Sequence, residues 1–235
     1  MALLAALAPF SLVTLQSEAQ PIYVSVAFPR TSVGSPRRAV GGGTRGRVQA
    51  CIIGAFPLTV LSPHSNVVTT VSAQPILYWY IPRTQAKVAD FSVSDEQGKI
   101  VYQTPIALRG IPGVVKLSFP RTLGLAIGQE YDWKLALRCN STDEAENVAI
   151  GGTIKRTALT SSQKAQLAAA KQPLKQAEVY AKAGVWQETI GILAQLRHNR
   201  PSDRNINAAW KELLESVDLK DIANERLVEC CRADN

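Results

Sequence analysis

Hydrophobic and polar positions along this chain change period once, near Thr157, from a β-type alternation to a helical one. The alternation is clearest in GQEYDWKLALRCN, residues 128–140. There Tyr131, Trp133, Leu135, Leu137 and Cys139 interleave with Asp132, Lys134, Ala136, Arg138 and Asn140, so one face is core and the other meets water. Residues 147–156 repeat the logic, with Val148, Ile150 and Ile154 on one face and Asn147 and Thr153 among the residues on the other. Between 88 and 104 the chain reads as a hairpin. Phe91 and Val93 lead into Asp95-Glu96-Gln97-Gly98, and Ile100 and Tyr102 lead out; a glycine near the end of a four-residue connection suits a turn that needs a positive φ. Strands are expected over 47–56, 67–72, 76–81, 88–94, 99–104, 113–119, 130–139 and 147–156, a spacing that predicts a sandwich or barrel.

Beyond Thr157 the composition turns to Ala, Gln, Lys, Leu and Glu. Helices are expected over 161–171, 173–183, 186–197, 204–216 and 218–232, with Pro173 at a helix start and Asp203 and Asp218 as N-caps. Tyr180, Gly184, Trp186, Leu193 and Pro201 resemble the spacing of one tetratricopeptide unit, although Thr189 stands where that repeat prefers Ala. One unit cannot build a peptide-binding groove, which takes three or more repeats. The stretch therefore reads as a helical hairpin packed on the sandwich or on itself, its aromatics serving as core.

Leu125, Gly128, Tyr131 and Trp133 are spaced like the tyrosine corner of immunoglobulin-like sandwiches, in which a Tyr at a strand start bonds back to the preceding loop. The fold expected is thus mainly β with an α tail: an immunoglobulin-like antiparallel β-sandwich over 47–156, then helices over 157–235. Trp79 in ILYWYIP is then a core residue. Tyr78 and Tyr80 alternate with it and either face outward, as a platform for a glycan or protein partner, or lie under the helical tail.

The first fifteen residues, MALLAALAPFSLVTL, carry no charge. With small Ser17 and Ala19 behind them they read as a signal peptide over 1–19, cleaved near Ala19. The first basic residue is Arg30, so the positive region that usually precedes such a run is missing; the alternative is a buried N-terminal helix or strand. A membrane span is not expected, since it needs about 20 apolar residues and Pro9 interrupts a shorter run. Residues 20–46 read as a mobile basic arm.

The 235 residues carry a net charge of +7, and residues 1–60 hold five arginines against one glutamate. Arg30, Arg37, Arg38, Arg45 and Arg47 could meet phosphate, anionic lipid or acidic glycan. No aromatics interleave with them to stack on bases, and nucleic acid is not an expected partner. Within this stretch Gly41-Gly42-Gly43-Thr44-Arg45-Gly46 either forms an anion-binding nest or serves as a connector; it lacks the Gly-Lys-Ser/Thr of a phosphate-binding loop.

Candidate chemistry is sparse. Cys51 and Cys139 either pair as a disulfide or stay as free buried thiols, while Cys230 and Cys231 are left unassigned. The only histidines, His64 and His198, are far apart, so no metal site is expected, and no cofactor. His64 lies in a turn without a carboxylate neighbour to orient it; His198 closes a helix, where it suits the dipole. Asp90, Asp95, Glu96, Glu130 and Asp132 are the carboxylates from which a glycan hydrolase would draw its pair, and they fall in turns or on the solvent face of strands.

Taken in order, RRAVGGGTRGRVQAC, PILYWYIP, DEQGKIVYQTPI and GQEYDWKLALRC resemble the cyanobacterial domain of unknown function numbered 928, over roughly residues 38–220. The resemblance implies an exported cyanobacterial protein and supplies no activity, cofactor or catalytic residue. The function expected is a non-enzymatic binding or structural module of the periplasm or cell envelope, with an envelope protein or glycan as partner. An envelope glycan hydrolase is the alternative.

Overall fold

The computed structural model describes residues 24–29, 51–63, 67–140 and 142–229. Among these residues eight strands form two sheets. One runs in the order β1 (Thr59–Val60), β3 (Ile76–Ile81), β6 (Gly113–Ser118). The other runs β2 (Val67–Thr70), β8 (Val148–Arg156), β7 (Glu130–Leu137), β4 (Val88–Ser94), β5 (Ile100–Ala107). All pairings are antiparallel except β2 with β8, where Val67 faces Thr153 in parallel. Four helices follow: α1 (Ser161–Ala169), α2 (Pro173–Lys182), α3 (Trp186–Asn199) and α4 (Arg204–Ser216). None among the described residues is long and apolar enough to cross a membrane.

The alternating strands occupy the places their side chains dictate. On β7 Tyr131, Trp133, Leu135 and Leu137 are buried; on β4 Ala89, Phe91 and Val93 are. Trp79 reaches across from β3 to meet Trp133 and Phe91, each with ring centroids at 5.6 Å, and this aromatic group fills the space between the sheets. Gly152 leaves the room Trp133 needs, because a Cβ there would stand 2.9 Å from Cζ2 of the indole. The β4–β5 hairpin closes as its residues predict. The Asp95 carboxylate accepts from the amides of Gln97 and Lys99, and Gly98 has a φ of 77°. Tyr131 Oη accepts from the Ala126 amide at 3.2 Å, bonding back to the loop before its strand.

Helices α2, α3 and α4 share this core, and buried side chains run without a break from the sheets to Ala223. Trp186 is fully buried and donates through Nε1 to the Leu61 carbonyl at 2.8 Å. Glu188, one helical residue pair further on, accepts from the Thr70 hydroxyl and the amides of Val71 and Ser72. Asp203 caps α4 by accepting from the amides of Asn205 and Ile206.

Four expectations are corrected. Residues 51–56 form no strand; Ile52 makes only an isolated bridge to Thr84, and the edge of β3 is filled by β1. Residues 24–29 are packed, not a mobile arm: Val26 is fully buried, and its amide and the Ser25 hydroxyl donate to the Glu212 carboxylate on α4. Asp218 is no N-cap. Its φ is 61°, the left-handed conformation that ends a helix, and α4 stops just before it. The helix expected over 218–232 is absent from its described part. A single 3-10 turn at Lys220–Ile222 gives way to extended chain whose Leu227 bridges Val114 in parallel. The free edge of β6 offers backbone partners there that a helix could not use.

Candidate functional site

Tyr78 and Tyr80 are each 4% exposed and form no surface platform. β3 is buried on both faces: Trp79 points at the five-stranded sheet, while Tyr78 points at α3, where a Cβ on Gly191 would lie 3.8 Å from its hydroxyl. Burial pushes the Tyr78 phenol up to about 12. Tyr80 is also raised, first by burial and then by the nearby Glu225 carboxylate. Cys51 and Cys139 are joined in a disulfide with Cα atoms 5.2 Å apart, and the Thr84 hydroxyl donates to the Cys51 carbonyl at 2.8 Å. Gly41, Gly42, Gly43 and Arg45 lie outside the described residues, as do His64, Cys230, Cys231 and the expected leader.

The carboxylates considered for hydrolysis are engaged singly. Asp90 holds Arg138 through two 2.6 Å hydrogen bonds, Asp95 caps its turn, and Glu96 accepts from the Glu130 amide. Glu130 pairs with Lys155 and Asp132 accepts from the Thr153 hydroxyl. They are spread over turns and strand faces, and none of them lines either cleft described next.

Two clefts flank a C-terminal strap, residues 223–229, for which the side-chain pattern predicts helix. Three anchors hold the strap. Trp210 Nε1 donates to the Ala223 carbonyl at 3.0 Å. Arg197 donates to the Glu225 carbonyl at 2.8 Å while its guanidinium lies 5.3 Å from the centre of the Trp210 ring, and burial lowers its pKa. Val114 donates to the Arg226 carbonyl and accepts from the Val228 amide, both at 2.8 Å. Gly113 makes the approach possible, since a Cβ there would meet Val228 Cγ2 at 2.2 Å.

The cleft on the α3 side is small, about 40 Å³, and is lined by Tyr78, Lys116, Gln195, His198 and Glu229 over an apolar floor. His198 Nε2 stands 3.9 Å from the Glu229 carboxylate. On the other side of the strap a larger cleft of about 240 Å³ is bounded by Ile81, Thr84, Leu108, Ile111, Val115 and Val228, with Arg109 and Glu229 at its rim. This cleft has the mainly apolar lining of a small-molecule site, with a volume just under the usual range. Sequence reasoning missed it because its walls come from three separate stretches of chain, one of them assigned to the wrong secondary structure. The signal available was Ile111 beside Pro112 and Gly113, an apolar residue in a turn where solvation alone would not place it.

A family model described as Domain of Unknown Function (DUF928) matches residues 40–227. No curated protein matches the chain.

Proposed function

Because the chain belongs to the DUF928 family, whose description carries no activity, we propose its role from its chemistry: an exported, non-enzymatic binding module of the cyanobacterial cell envelope. The observation that carries this reading is the disulfide between Cys51 and Cys139, a bond that persists in oxidising compartments and is rare in reducing ones. The uncharged leader MALLAALAPFSLVTL supports it. The contact of Tyr131 with Ala126 supports reading the two sheets as an immunoglobulin-like sandwich, a scaffold that presents its ligands to loops and exposed edges. The partner proposed is an envelope component reached through the clefts beside the strap.

The test is to recover the mature protein from its native cell, sequence its N-terminus and titrate its thiols. A first residue near Gln20 in an extracytoplasmic fraction, with Cys51 and Cys139 oxidised, is expected. Retention of Met1 in a soluble cytoplasmic fraction with both thiols reduced overturns the reading.

A further inference from the structure

The larger cleft beside the strap has a definite chemical character. Its walls are aliphatic: Ile81, Leu108, Ile111, Val115 and Val228. The hydroxyl in the wall, that of Thr84, is already engaged, donating to the Cys51 carbonyl at 2.8 Å and accepting from the Ala86 amide at 3.1 Å. A sugar or other polyhydroxyl ligand would leave its own groups unpaired against such walls, at a desolvation cost. An apolar body meets no such penalty.

The rim adds a charge. Arg109 sits at the tip between β5 and β6. It is fixed on one side by the Leu108 amide, which donates to the Lys87 carbonyl at 2.8 Å, and turned on the other by Gly110 at a φ of 69°. The second charged residue of the rim, Glu229, stands 3.9 Å from His198, and Arg109 is the cation among the residues that line this mouth. A guanidinium takes a carboxylate through two parallel hydrogen bonds. Ile111, 46% exposed at the same lip, is apolar surface that an occupant would cover.

Size then limits the occupant. An apolar cavity of about 150 Å³ holds benzene, so about 240 Å³ accommodates roughly eight to ten carbon atoms by the same scaling. Two-chain phospholipids exceed it. We propose that this cleft binds a medium-chain aliphatic carboxylate, its chain laid against Leu108, Ile111, Val115 and Val228 and its head group on Arg109. The proposal rests on the reading of the chain as a binding module, and it names the ligand class that reading leaves open.

The experiment is calorimetric titration of the full, oxidised chain with decanoate, decanol and acetate, each below its aggregation threshold. Decanoate is expected to bind saturably at one site and acetate to give no heat. Arg109→Gln weakens decanoate by tenfold or more and leaves decanol unchanged. Ile111→Asp, at a position 46% exposed, weakens both. No saturable decanoate binding overturns the proposal, as does binding that is equal in the wild type and both variants, or sedimentation with phosphatidylglycerol vesicles that decanoate does not compete. Failure here leaves the export reading standing, and a cytoplasmic, reduced protein would sink that reading without touching this titration.

Discussion

Glu188, in the first turn of α3, accepts a 2.8 Å hydrogen bond from the hydroxyl of Thr70 at the end of β2. The same oxygen accepts from the amides of Val71 and Ser72 at 3.0 Å each. One carboxylate oxygen thus satisfies the turn that leaves the five-stranded sheet and ties it to the helical layer. Its other oxygen is buried without a hydrogen-bond partner among the described residues. Glu188→Ala takes the acceptor from the Thr70 hydroxyl and the Val71 amide, while the Ser72 amide keeps the Thr70 oxygen at 3.1 Å, and should lower unfolding free energy by about 2–3 kcal/mol, a range typical of lost hydrogen bonds to a charged group. Glu188→Gln keeps an acceptor in place and puts its new amide where no bond was made, so its loss should be smaller. Denaturant melts of the two variants check the order.

Gly152 and Trp133 make a second such pair. A Cβ at Gly152 would be 2.9 Å from Trp133 Cζ2 and 3.3 Å from Nε1, with Trp79 closing the other side. Gly152→Ala should cost about 1–3 kcal/mol, as overpacking of a filled core does, and should change the tryptophan fluorescence.

The strap can be tested at Gly113. Alanine there collides with Val228 Cγ2 and stands 2.7 Å from the Arg226 carbonyl oxygen. The backbone bonds of Val114 to the strap should break while the sheets stay folded. Limited proteolysis should cut Gly113→Ala within 223–229 and spare the wild type, with far-ultraviolet dichroism unchanged.

Reduction reports on the disulfide. Cys51 and Cys139 are 88 residues apart, and closing so long a loop adds roughly 4.6 kcal/mol on the chain-entropy account. Cys51→Ala with Cys139→Ala should lower the melting temperature by an amount that dithiothreitol reproduces in the wild type and does not enlarge in the variant.

Tyr78 makes stability depend on alkaline pH. Burial raises its folded-state pKa from 10.0 to about 12. A raised pKa means the folded state holds the proton more tightly, so the contribution is fully present below pH 10 and is lost as pH rises toward 12. Tyr78→Phe carries no titrating group there. Its denaturation midpoint should fall less than that of the wild type between pH 10 and 12.

Seven strands and four helices were legible in the sequence because each carries its own period. The alternation of Tyr131, Trp133, Leu135 and Leu137 against Asp132, Lys134 and Ala136 is a local property, and so are Pro173 and Asp203 at helix starts. Tyr78 and Tyr80 were not decidable locally. Alternation says only that they face away from Trp79; that α3 covers Tyr78 depends on where a segment more than a hundred residues later comes to rest. Residues 223–229 failed for the opposite reason. Their composition suits a helix, yet the open edge of β6 and the missing Cβ of Gly113 favour extended chain.

What this sequence determines alone is therefore the order and kind of β2–β8 and α1–α4 and the face an alternating strand such as β7 buries, since these follow from side-chain periods of two and 3.6 along a single stretch. Tertiary structure decided that Cys51 and Cys139 pair rather than stay as free thiols, and decided the covering of the tyrosines, the strap and the Arg109 cleft. Each of these joins residues distant along the chain, and their meeting depends on the packing of whole layers, which no local pattern encodes.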